Sequence, residues 1–128
     1  MSEFALESSA FENARAIPSG HTCEGEDVSP PLRWTGLPEG TRSLALVVDD
    51  PDDPAGVFTH WVAWGLDPRA GGLGEGEPAP SEGRNDFGMA GYRGHCPPAR
   101  HGVHHYLFRL YALARSRRTA SCRLADRK

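Results

Sequence analysis

A chain of 128 residues with 38% hydrophobic and 24% charged side chains is long enough for one buried core and too short for two. Its longest apolar run, Leu44 to Val48, falls far short of the roughly 20 residues that a membrane-spanning helix needs. The net charge of −3 conceals −11 over residues 1–86 and +8 over residues 87–128, an imbalance that two halves facing each other in one fold can satisfy without a nucleic-acid partner.

The leading residues, Met1 to Glu7, are acidic and lack both a positive start and an apolar centre, so no secretory signal is expected and the location is read as cytoplasmic. Cys23, Cys96 and Cys122 form an odd set without CxxC spacing, which argues for free thiols in a reducing compartment and against a disulfide framework or a structural zinc site. Ser29-Pro30-Pro31-Leu32 and Gly36 to Gly40 punctuate short extended segments. Residues 42–50 are apolar and β-branched and stop at Pro51, the pattern of a buried strand that delivers Asp49 and Asp50 to a loop. A second strand over Val57 to Leu66 would align Phe58, His60, Val62 and Trp64 on one face. Asp67 to Gly83 holds five Gly and three Pro in 17 residues and reads as a surface loop. A third strand from about His104 to Ala114 alternates His104, Tyr106, Phe108 and Leu110 against His105, Leu107, Arg109 and Tyr111. No segment sustains a helical period and no repeat is visible. The expectation is a mainly β, antiparallel sandwich.

Chemistry-bearing residues are concentrated. His95, His101, His104 and His105 fall close together, but a strand sends His104 and His105 to opposite faces, and neither HExxH nor CxxC occurs; no metal and no cofactor are expected. Ser29, Asp50 and His60 could form a hydrolytic set, yet GxSxG is absent and Ser29 precedes two prolines. No glycine-rich phosphate loop is present either. What remains is an acidic strand end at Asp50 to Pro54, one histidine on each of two strands, and the loop Gly94-His95-Cys96-Pro97-Pro98. Such parts suit a small anion pocket. Each has an ordinary structural duty as well: Asp50 can cap a turn, His60 and His104 can be core histidines, Phe58 and Tyr106 strand packing, and the proline pair a rigid bend.

Four stretches together resemble the phosphatidylethanolamine-binding protein family in its bacterial Raf kinase inhibitor-like branch. They are Ile17-Pro18 with Thr22 to Gly25 and Asp27-Val28-Ser29-Pro30-Pro31-Leu32; Asp50-Pro51-Asp52 with Pro54; His60-Trp61; and Gly83 to Gly88 continuing through Gly91-Tyr92, Cys96-Pro97-Pro98 and Gly102 to Tyr106. The resemblance implies an antiparallel β-sandwich with few peripheral helices. It also implies a pocket for phosphate-like anions or phospholipid headgroups, built by position from Asp50, Pro54, Phe58, His60, Cys96, Pro97, Pro98, His104 and Tyr106. It implies binding and regulation, not catalysis. A carboxylate beside two imidazoles favours their cationic form, which pairs with a phosphoryl oxygen, while Asp50 repels a fully ionised phosphate and so selects monoanionic or zwitterionic ligands.

The chain departs from the family pattern at His95, Arg100 and His105, and most of all after Leu113. There six of the fourteen basic residues crowd a segment with no apolar period. The expected organisation is therefore a domain over residues 1–113 and a divergent basic tail over 114–128, a disordered or truncated terminus lacking the family's C-terminal helix and closing strand. A bare sheet edge would follow, and with it self-association as a homodimer. Two rival functions are a His/Asp-dependent hydrolase of phosphorylated compounds, and an inhibitor whose surface loops engage a kinase or protease partner.

Overall fold

The computed structural model describes residues 4–13, 15–22, 25–51, 56–94, 106–114 and 119–125. These form two antiparallel sheets. The smaller has the order β1 (Ala5–Glu7), β2 (Leu32–Thr35), β5 (Gly72–Leu73); the larger has the order β6 (Ser81–Glu82), β4 (Phe58–Leu66), β3 (Thr41–Asp50), β7 (Leu107–Ala114), β8 (Thr119–Ala125). Helical content among the described residues is limited to two 3-10 turns, Ser19–His21 and Pro68–Ala70. The mainly β, antiparallel expectation is met.

β3 organises the core because it lies between two long partners. Leu44, Leu46 and Val48 pair with Ala112, Leu110 and Phe108 on β7 and with Leu66, Ala63 and Trp61 on β4. All nine are buried, so three adjacent strands present one continuous apolar face. Leu6, Leu32, Trp34 and Leu73 of the small sheet are buried in the same core, and Phe11 sets its ring 5.8 Å from that of Phe108. Sealing a side chain the size of Phe108 away from water contributes roughly 1.5–3 kcal/mol.

Alternation also separates the two aspartates at the end of β3. Asp50 shares the parity of Val48 and turns to the core side. Asp49 turns to the other face, where Arg109 meets its buried carboxylate. The glycine-rich stretch 67–83 is more ordered than its composition suggests. Asp67 caps the turn Pro68–Ala70 by accepting from the Arg69 N–H, and β5 and β6 each borrow two residues of it for pairing.

The tail differs from the expectation. Thr119–Ala125 is a strand paired along its whole length with β7, from Leu107↔Ala125 to Leu113↔Thr119. Ala120, Cys122 and Leu124 alternate with Thr119, Ser121 and Arg123 and pair with Ala112, Leu110 and Phe108, a short period of two that the surrounding arginines obscure, while edge pairing satisfies the backbone N–H and C=O groups of β7. A closing strand is thus present, and the bare β7 edge from which self-association was expected is paired.

Candidate functional site

β4 does not alternate cleanly. Thr59 pairs with Asp49 and Trp61 with Val48, so His60 is an extra residue opposite no partner of its own on β3. A β-bulge of this kind brings two successive side chains toward one side of the sheet. Both His60 and Trp61 are accordingly buried on the core side. The same slip corrects the expected row: Phe58 and His60 share a face, whereas Val62 and Trp64 lie on the other, beside Gly83, and Trp64 is 46% exposed.

The register then gathers the site. Asp50 pairs with Phe58 on one side. On the other, Tyr106 precedes Leu107, the partner of Asp49, so continuation of the register sets Tyr106 opposite Asp50. The His60 ring lies 5.1 Å from that of Phe58 and 4.8 Å, edge-on, from that of Tyr106. Asp50, His60 and Tyr106 are each 0% exposed. Of the sequence-derived candidates, the structure brings Asp50, Phe58, His60 and Tyr106 together; Pro54, Cys96, Pro97, Pro98 and His104 lie outside the described residues.

Hydrogen bonding fixes the chemistry of His60. Its Nδ1 lies 2.7 Å from the Arg93 carbonyl oxygen, which can only accept, so Nδ1 carries the proton. The Arg93 N–H donates in return to the His60 carbonyl at 3.3 Å. Ligand chemistry at this imidazole therefore falls to Nε2.

The sequence reading missed Phe87. Its ring stands 4.9 Å from Phe58 and 5.9 Å from His60, it is 41% exposed, and the Arg93 guanidinium lies over it at 5.6 Å. The loop that presents it is organised by buried Asn85, whose Oδ1 accepts from the Phe87 and Met89 N–H groups and whose Nδ2 donates to the Gly91 carbonyl. Asp86 anchors the loop to β4, exchanging hydrogen bonds with the Thr59 backbone. The available signal was Asn85-Asp86 before Phe87-Gly88, a run whose side chains favour tight turns.

A separate recess of about 220 Å³ lies among Asp27, Ser29, Trp61, Glu77, Glu82 and Tyr92. Its lining includes three carboxylates and no cationic side chain, so it repels the anions that the His60 cluster suits.

The family model described as phosphatidylethanolamine-binding protein matches residues 7–127. The chain belongs to that family. A UPF0098 protein of Pyrococcus abyssi is 50% identical over 120 residues, covering 87% of this chain and 67% of that protein. A Mycobacterium tuberculosis protein provisionally named lipoprotein LppC is 43% identical over 111 residues, covering 84% of this chain and 54% of its own. A solved structure from Chlamydia trachomatis, provisionally described as a phosphatidylethanolamine-binding protein homologue, superposes with a TM-score of 0.90 at 30% identity, covering 100% of this chain and 98% of that one. The chain spans 67%, 58% and 38% of the length of three archaeal relatives. No helix among the described residues is long and apolar enough to cross a membrane.

Proposed function

We propose that this phosphatidylethanolamine-binding protein family member is a binding protein, not a catalyst, for small phosphate-bearing molecules or phosphate-containing headgroups. The observation that carries the reading is the meeting of Asp50, His60 and Tyr106 inside the aromatic frame of Phe58 and Phe87. An ionised Asp50 only accepts hydrogen bonds, Tyr106 donates or accepts, and protonated His60 donates from Nε2. A ligand that suits all three offers phosphoryl oxygens to His60 and Tyr106 and a proton, on phosphate or on an ammonium group, to Asp50. A dianion meets the buried carboxylate unfavourably. The family resemblance extends the proposed pocket to Pro54, Cys96, Pro97, Pro98 and His104, which lie outside the described residues. The proposal includes a cytoplasmic location, which cell fractionation checks against the envelope placement suggested by the name of the mycobacterial relative.

The test is thermal unfolding of wild type and His60→Gln with inorganic phosphate, phosphoethanolamine or uncharged glycerol. At 100 times its dissociation constant a ligand stabilises by about 2.7 kcal/mol. Phosphoethanolamine is expected to raise the wild-type transition and leave His60→Gln unmoved, with glycerol inactive on both. Equal shifts in the two proteins, or none with either phosphate compound, would reject the reading.

A further inference from the structure

Asp27 is the one described non-glycine residue with a positive φ, at 59°. An L-residue held there is strained, although Asp tolerates it better than most. Its carboxylate grips the strip of chain behind His60. Oδ1 accepts from the Gly94 N–H at 2.6 Å, and Oδ2 lies 3.6 Å from the Arg93 guanidinium Nε. The approach is so close that a Cβ on Gly94 would stand 2.2 Å from the His21 carbonyl oxygen and 2.5 Å from Asp27 Oδ1. Tyr92 ties down the other end of the strip by donating from its hydroxyl to the same His21 carbonyl at 2.7 Å.

The strip so held is the one whose Arg93 peptide groups hold both the ring and the backbone of His60. In water a neutral histidine prefers its proton on Nε2; the opposite tautomer persists only where an acceptor is fixed beside Nδ1. We infer that Asp27 is a positioning residue of the anion site: it fixes residues 92–94 so that, without ligand, the Arg93 carbonyl holds neutral His60 as the Nδ1–H tautomer and leaves Nε2 as the nitrogen that takes up a proton and donates to a phosphoryl oxygen when the ligand binds. The inference rests on the binding role proposed above, but its effect on the ring is measurable without ligand. It accounts for why a strained backbone is kept at a residue that does not itself belong to the pocket.

The test uses the full chain with 15N-labelled histidine, comparing wild type, Asp27→Gly and Asp27→Asn. Glycine accepts the left-handed backbone, so Asp27→Gly removes the carboxylate without adding strain. Asparagine tolerates the same backbone and keeps an oxygen for the Gly94 N–H. The expected result is a Nδ1–H signature for His60 in wild type and Asp27→Asn, and a tautomer mixture in Asp27→Gly. Phosphoethanolamine affinity should fall about tenfold in Asp27→Gly, the scale typical of losing a partner that orients a ligating histidine, and recover in Asp27→Asn. An Nε2–H signature in wild type, or a His60 ring unchanged in Asp27→Gly, overturns the inference whatever the affinities. If wild type binds no phosphate compound while the ring responds as expected, the positioning role stands and the binding proposal fails.

Discussion

β3 runs ten residues against β7 with a single irregularity near its start, whereas β4, its other neighbour, fits two extra residues into nine, one at His60 and one beside Gly65. The regular strand supplies the frame: Leu44, Leu46 and Val48 face inward in strict alternation and are matched on both sides. The irregular strand supplies the site. A ladder in perfect register buries every second residue, which suits hydrocarbon and would send either His60 or Trp61 to the wrong face. One inserted residue resolves that conflict and places an imidazole in the core beside Asp50 and Tyr106. Structure and function thus draw on neighbouring strands in opposite ways.

The sharpest way to break this contrast is to damage the frame. Leu46→Ala removes a fully packed side chain from the centre of β3 and is expected to cost about 2–5 kcal/mol, read by urea denaturation. At phosphoethanolamine concentrations that saturate the folded protein, the ligand should still stabilise the variant by the wild-type increment. A loss of the ligand effect at temperatures where the variant remains folded would show that frame and site are not separable.

Next in size is Asn85→Ala. The substitution leaves two N–H donors, of Phe87 and Met89, and the Gly91 carbonyl without the side chain that satisfies them. A cost of about 1–3 kcal/mol is expected, moderated because water reaches the half-exposed loop. Unlike Leu46→Ala, it should also weaken phosphoethanolamine binding, since Phe87 loses the anchor that holds it over His60. Calorimetric titration showing wild-type affinity would mean that Phe87 is placed by Phe58 and Arg93 alone.

The same contrast explains what could be read from the chain. The three long strands were legible because apolar and β-branched residues alternate over most of their length, and Asp50 and His60 stood out because they lie on those strands, whereas Phe58 and Tyr106 entered the site only through the family resemblance. The split between Asp49 and Asp50 was implicit in the period of two, but the sheet face on which each lies depends on neighbouring strands. The bulge at His60 was not legible, because no residue type marks an inserted position when it is not glycine. Phe87 was missed since its placement comes from Asn85, two residues away, through bonds to backbone that only the folded loop brings together. β8 was overlooked although Ala120, Cys122 and Leu124 alternate with Thr119, Ser121 and Arg123 in the period of a strand; the signal is only seven residues long and sits among arginines, and its register against β7 is visible only in the fold. Asp27 was visible in the sequence only as the first residue of the stretch Asp27-Val28-Ser29-Pro30-Pro31-Leu32, with no role attached, and its distinctive feature, the left-handed φ, is conformational.

The smallest expected effect isolates the second irregularity of β4. Gly65 has a φ of 72°, and a Cβ added there would meet only Ser81 Oγ at 3.7 Å and Pro80 Cβ at 4.0 Å, both ordinary contacts. Gly65→Ala therefore tests backbone strain without a clash. A left-handed alanine costs roughly 1–2 kcal/mol, and the stiffer unfolded chain returns about half of that, leaving a net loss of about 0.5–1 kcal/mol by denaturant unfolding. Phosphoethanolamine affinity should not change, because Gly65 lies beyond Ala63 and Trp64 from the ring of His60 and touches none of its partners. Were affinity to fall with so mild a substitution, the two irregularities of β4 would have to be one coupled device, with the bend at Gly65 setting the twist that aims His60.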